Sequence, residues 1–224
     1  MGGGVMMDNH PTHMRAAKSI FRLIDGEISG NKADQQGGAL YAKYRVQGEK
    51  QIVTEINIDG VKIAKNESAQ GGAIATIRYT KINMSSGSIE GNLATKDAGA
   101  ILLQTWSEMN ITGGQIVGGN AKQGGKDQIM IFRGASDLVH QHLAERTDAI
   151  VDRVERGGIY ISSDSKLTMS GGSISYNVAK TNGGAVALSK ETVFTMAGGD
   201  ITGNEAKSHG GGIYNVAGTV DLKG

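Results

Sequence analysis

Six times this chain places an isoleucine shortly before an asparagine: ISGN at 28–31, IAKN at 63–66, IEGN at 89–92, IVGGN at 116–120, ISYN at 174–177 and ITGN at 201–204. A small-residue step follows each: Gly37-Gly38, Gly71-Gly72, Ala98-Gly99, Gly124-Gly125, Gly183-Gly184 and Gly210-Gly211. Successive asparagines (Asn31, Asn66, Asn92, Asn120, Asn177, Asn204) are 35, 26, 28, 57 and 27 residues apart. A base period near 27 lies within the range of solenoid repeats, in which stacked units share one continuous core.

Within a unit the apolar positions alternate with period two. Leu167 and Met169 flank Thr168, Phe194 and Met196 flank Thr195, and Ile174 or Ile201 begins the next run. A third run starts after the glycine pair, at Ala185 or Ile213. Glycine every few residues excludes helix in these units, and short alternating runs between glycine-rich corners read as strands. The expected fold is all-β: a parallel β-helix of six to seven coils, with three short strands per coil. Each asparagine is expected at a corner, in the left-handed conformation that Asn tolerates, with its amide bonded to the next coil in a ladder.

Composition narrows the function classes. Lys and Arg number 23 against 22 Asp and Glu, which gives no electrostatic support to nucleic-acid binding. There is no cysteine, so neither disulfides nor thiolate metal sites are expected, and no cofactor is implied. No apolar run reaches the roughly 18 residues of a transmembrane helix. Glycine is abundant at 35 residues, but no triplet repeat of the collagen type accompanies it.

The GGA-hydrophobic steps (GGAL 37–40, GGAI 71–74, GGAV 183–186 and the variant AGAI 98–101), alternating with I-x-x-N, resemble the GGA(I/L/V) and FxxN repeats of polymorphic outer-membrane proteins and related adhesin passenger domains. The resemblance covers nearly all of the chain outside 126–156. It departs from the family in having Ile where FxxN has Phe. It implies a right-handed β-helix of the pectin-lyase-like kind, displayed on a bacterial cell surface, with any export signal and anchor outside this chain. Such repeats specify a fold far more strongly than an activity.

Function is therefore sought where the repeat breaks, because inserted loops project from a stack. From Gly4 to Gly26 and from Gly38 to Gly60 the chain takes 22 residues, against 15 from Gly184 to Gly199. The two insertions fall at equivalent points of consecutive coils, near 8–15 and 43–50. They would present His10, His13, Arg15, Tyr41, Lys43, Tyr44 and Arg45 together, as a polar and aromatic surface for a glycan, a polyanionic group or a protein receptor. His10 and His13 have no third ligand in view, so no metal site is expected. The third break, at about 126–156, interrupts a single domain spanning 1–224. Leu143, Ile150 and Val154 recur there at helical spacing after a Ser136 cap, which predicts one inserted amphipathic helix.

A search for catalytic signatures yields little. RYTK at 78–81 and SHGG at 208–211 faintly resemble elements of pectin-type hydrolases, in the wrong order and without paired aspartates. The expected role is that of a non-catalytic stalk and adhesin segment. A polysaccharide lyase or hydrolase, and a subunit that associates end to end, are the alternatives.

Overall fold

A computed structural model describes residues 3–9, 18–44, 54–121, 158–162 and 164–223. The first coil comprises β1 (Val5–Asn9), β2 (Ser19–Ile24) and β3 (Glu27–Ser29). The second comprises β4 (Leu40–Tyr44), β5 (Thr54–Asp59), β6 (Lys62–Ala64) and β7 (Glu67–Gln70). The third adds β8 (Ile74–Ile77), β9 (Thr80–Met84), β10 (Ser88–Glu90) and β11 (Leu93–Asp97). The fourth adds β12 (Ile101–Gln104), β13 (Glu108–Ile111), β14 (Gln115–Val117) and β15 (Asn120–Ala121). Beyond Gly158 follow β16 (Ile159–Ser162), β17 (Lys166–Ser175) and β18 (Val178–Ala179), then β19 (Val186–Leu188), β20 (Val193–Thr202) and β21 (Glu205–Ala206). The last turn holds β22 (Ile213–Asn215) and β23 (Thr219–Leu222).

Every strand pairs in parallel with its equivalent one coil away. The first sheet has the order β1-β4-β8-β12-β16-β19-β22, and the third β21-β18-β15-β11-β7. The second sheet bends. One leg carries β2-β5-β9-β13 and the other β14-β10-β6-β3, and β17 and β20 run through both. The chain visits the three sheets in turn and rises one rung per circuit, which is the topology of a parallel β-helix. The seven strands of the first sheet span on the order of 30 Å at the usual rung spacing. There are as many sheets as expected, with one more strand segment per coil than the sequence reading counts. That segment is the short one after each asparagine, Glu67–Gln70 for example, which is polar and has no apolar alternation to reveal it.

Inward side chains stack in columns. Ile63 pairs with Ile28 and Ile89, and Ile116 with Ile89 and Ile174. Met84, Ile111 and Met169 stand in a second column. Leu40, Ile74, Ile101 and Val186 have no exposed surface. The GGA motif has a separate job for each residue. The first position is left-handed: φ is 65° at Gly37 and Gly71, 69° at Gly183 and 58° at Ala98. At the second, a Cβ on Gly72 would run into the Gly99 carbonyl oxygen of the next coil. The alanines (Ala39, Ala73, Ala100, Ala185) are fully buried, and the fourth residue enters the core.

The amide column is continuous over two stretches. Asn66 Nδ2 donates to Asn92 Oδ1 at 3.0 Å, and Asn31 Nδ2 to Asn66 Oδ1 at 3.0 Å. Asn177 Nδ2 donates to Asn204 Oδ1 at 2.9 Å. Each side chain also reaches a backbone carbonyl: Asn66 that of Ile28, Asn92 that of Ile63, Asn204 that of Ile174. Two expectations need correction. The left-handed corner lies one residue before the asparagine, at Gly30, Lys65, Gly91, Tyr176 and Gly203, with φ between 53° and 69°. The asparagine itself keeps negative φ and supplies the hydrogen bonds. Asn120, moreover, stands one place off the ladder register. Its register partners are Leu93 and Val178, and Gly119 occupies the ladder position, its amide donating to Asn177 Oδ1 at 2.8 Å. The additional glycine of IVGGN shifts the asparagine one place along the chain.

The predicted helical insertion at 126–156 lies outside the described residues. The coils on either side of it pair directly, β12 with β16 and β13 with β17, so the stack passes through without a gap.

Candidate binding edge between the first and second sheets

His10, His13, Arg15 and Arg45 lie outside the described residues; Tyr41, Lys43 and Tyr44 stand on β4. The two short insertions connect β1 to β2 and β4 to β5. They leave from one corner of consecutive coils, the passage from the first sheet to the second. The structure separates the two tyrosines. Tyr41 faces outward and packs with Ala75, Ala98 and Leu102. Tyr44 turns into the corner and joins Tyr79 and Trp106.

In the third and fourth coils this corner is tight. It is made by two consecutive left-handed residues in each: Arg78 and Tyr79 with φ of 65° and 49°, Thr105 and Trp106 with φ of 51° and 55°. Non-glycine residues in this region cost about 1–2 kcal/mol each, so neighbouring contacts must hold them there. The Arg78 amide donates to the Gln104 carbonyl at 3.1 Å and the Tyr79 amide to that of Thr105 at 3.3 Å. The Tyr79 and Trp106 rings stack at 5.1 Å and 15°, and Tyr44 meets Tyr79 edge-on at 5.9 Å and 81°. Such pairs contribute about 0.5–1.5 kcal/mol beyond their burial.

The inner coils then enter the second sheet through a buried hydroxyl. Thr80 Oγ1 donates to the Arg78 carbonyl at 3.2 Å, Ser107 Oγ to that of Gln104 at 2.7 Å, and Thr192 Oγ1 to that of Ser189 at 2.8 Å. These hydroxyls close the corner behind the aromatic residues. Thr54 occupies the same position, fully buried, with no partner for its Oγ1 among the described residues.

The outer face of the second sheet carries charge in alternating sign. Glu55 stands beside Lys81, Lys81 beside Glu108, and Glu108 beside Lys166. Lys18 Nζ lies 2.6 Å from Glu55, and its hydrogen bond holds the Glu55 carboxyl below the usual glutamate range. Asp59 is held low by the Ser86 and Ser85 hydroxyls, at 2.6 and 3.1 Å. On the other leg an ion pair with Glu90 raises the Lys62 ammonium. Amides line the same face: Asn83 Nδ2 donates to Asn57 Oδ1 at 2.8 Å, and Asn110 Nδ2 to Asn83 Oδ1 at 3.1 Å. Charges of opposite sign thus alternate at rung spacing beside an amide column, an arrangement favourable to cross-strand pairing.

The hydrolase-like fragments do not meet. Arg78 belongs to the corner of the third coil. His209 bonds to Asn182 at 3.0 Å on the line of the third sheet, beyond β21 of the sixth coil. Among the described residues no group of three His, Asp or Glu could hold a metal ion. Among them, too, no helix is long and apolar enough to cross a membrane.

The family model of the Chlamydia polymorphic membrane protein repeat matches residues 25–43. That stretch runs from the corner before β3, through the Asn31 rung and the Gly37-Gly38 step, into β4. It is thus one unit of the ladder that repeats along the rod. The chain accordingly carries a repeat like those of polymorphic outer-membrane proteins, which points to a surface or outer-membrane, adhesin-like protein. No curated protein and no solved structure matches the chain. The sequence reading misses Tyr79 and Trp106. A signal was available: RYTKINM at 78–84 and TWSEMNI at 105–111 align residue for residue, and both carry an aromatic before the buried hydroxyl.

Proposed function

We propose that this chain is a non-catalytic β-helical segment of a bacterial surface protein, acting as a stalk whose first-to-second-sheet edge adheres to a glycan or protein receptor. The observation that carries the reading is the match to the polymorphic membrane protein repeat. Its setting agrees: inward side chains form core columns, the asparagines bond coil to coil, and charges of opposite sign alternate along the second sheet. Chain not needed for stacking leaves from one edge, between β1 and β2 and between β4 and β5. An extracellular location follows from the same reading.

The test is retention of the folded protein, displayed on beads, by cultured host cells and on a glycan array. Saturable binding competed by free protein is expected. Beads retained no better than beads bearing an unrelated β-helix would remove the adhesive role.

A further inference from the structure

The asparagine column breaks at one rung, and the break reaches beyond the missing side chain. Within the column, each asparagine's backbone amide donates to the side-chain oxygen of the next coil: Asn31 to Asn66 at 3.0 Å, Asn66 to Asn92 at 2.9 Å and Asn177 to Asn204 at 2.9 Å. Asn92 is buried like Asn66 and Asn177, but Gly119 stands where its acceptor would be, and the Asn92 backbone amide has no acceptor among the described residues. A buried N–H without a partner costs free energy comparable to a lost hydrogen bond. The backbone bonds beside it are stretched as well. The Glu67 and Leu93 amides donate to the carbonyls of Asn31 and Asn66 at 2.8 Å, and Glu205 to that of Asn177 at 2.9 Å. The equivalent bond across the break, from Val178 to the Gly119 carbonyl, is 3.4 Å long. Gly118 to Ser175 is also 3.4 Å, against 2.9 Å for Gly91 to Val117. Both long bonds exceed the usual N–H···O range of about 2.7–3.2 Å. The third sheet is thinnest at the same rung, where β15 and β18 share the single register pair Asn120–Val178. The other two sheets cross it intact: β12 and β16 pair over four residues, and so do β13 and β17.

From these placements we infer that the rung between the fourth and fifth coils is a joint in the rod. Its third-sheet side opens locally, hinged on the first and second sheets, while coils one to four and coils five onward stay folded as blocks. The stability of a stacked repeat is a sum over neighbouring interfaces, so one weak interface divides the stack into two cooperative units. The weakness lies on one of three faces, so the rod gives way on that side alone. The additional glycine of IVGGN is its cause, because it moves Asn120 off the column. The inference does not depend on the adhesive reading.

Native-state hydrogen exchange, followed residue by residue, tests the joint. Corrected for intrinsic rates, the Val178 amide should exchange at least about tenfold faster than that of Leu93, its counterpart within the unbroken column. Added urea should speed Leu93 and leave Val178 nearly unaffected, because a local opening exposes little surface. Deleting Gly119 turns IVGGN into IVGN, the form already present in ISGN, IEGN and ITGN, and returns Asn120 to the column. In that variant Val178 should slow to the rate of Leu93, and Asn92 to that of Asn66. Equal protection of Val178 and Leu93 in the unaltered protein would overturn the inference, as would a Val178 rate that climbs with urea as steeply as that of Leu93. A folded deletion variant in which Val178 stays fast would do the same. Circular dichroism establishes whether the variant folds; where it does not, the two comparisons in the unaltered protein decide the matter alone.

Discussion

A single buried amide does several jobs in this molecule. Asn66 accepts from the Asn31 amide at 3.0 Å and donates to the Ile28 carbonyl and to Asn92. Asn66→Ala removes all of these and leaves buried groups unpaired, which costs about 2–4 kcal/mol by the usual price of unsatisfied buried polar groups. Urea unfolding should show it as a lower midpoint with an unchanged slope. Thr54 presents the opposite case. Its Oγ1 is buried without a partner among the described residues, so Thr54→Val, nearly the same shape, should stabilise the protein by about 1 kcal/mol in the same measurement. Position 120 shows where reading by residue type misleads. IVGGN offers an asparagine at the end of the motif, and only the register reveals that Gly119 stands in the ladder and Asn120 beside it. Spacing along the chain held this information, since 27 residues separate Asn92 from position 119 and 28 separate it from Asn120.

Among the elements, corners constrain the sequence more than strands do. Gly72 and Gly26 are both corner glycines, but for different reasons. A side chain at position 72 meets the backbone of the next coil, whereas at position 26, with φ of 92°, it meets nothing within 4 Å. Gly72→Ala should therefore cost about 3 kcal/mol or more through overpacking, and Gly26→Ala about 1–2 kcal/mol through conformation alone. Thermal denaturation of the two variants separates the causes. The strand columns set the pH response. Glu55 and Asp59 are held below their ordinary values of 4.5 and 3.8, so their contribution is present above those values and is lost as pH falls through the lower folded ones. Lys62 is raised above 10.5, so its contribution is complete below that value and disappears as pH rises through the folded one. Melting temperature should be level between about pH 5 and 10 and decline on either side, with Lys62→Met flattening the alkaline decline. The strands of the core were legible because apolar alternation and glycine steps mark them. The third sheet was not, because its segments are short and show no apolar alternation. The aromatic corner was hidden in a different way: Tyr79 and Trp106 are adjacent only after the coils are stacked.

For the molecule as a whole, one rule generates most of the structure: each coil places every residue one rung above its equivalent. That rule accounts for the insertions as well. Loops can leave at a corner, or between Ala121 and Gly158, while β12 and β16 still pair directly. On the proposed reading it also leaves specific chemistry to the edge where the regular coil is interrupted, so the repeat speaks for the architecture and not for a ligand. The repeat rule can be tested by distance. Glu27, Lys62, Ser88, Gln115, Ser173 and Asp200 occupy successive rungs of one column. The chain has no cysteine, so pairs of introduced cysteines can carry spin labels without background. Dipolar spectroscopy should place labels at 27 and 173 roughly 19 Å apart and labels at 27 and 200 roughly 24 Å apart, four and five rungs of a parallel stack. Two distances that do not differ by one rung, or that are broadly distributed, would contradict the β-helix on which everything else here depends.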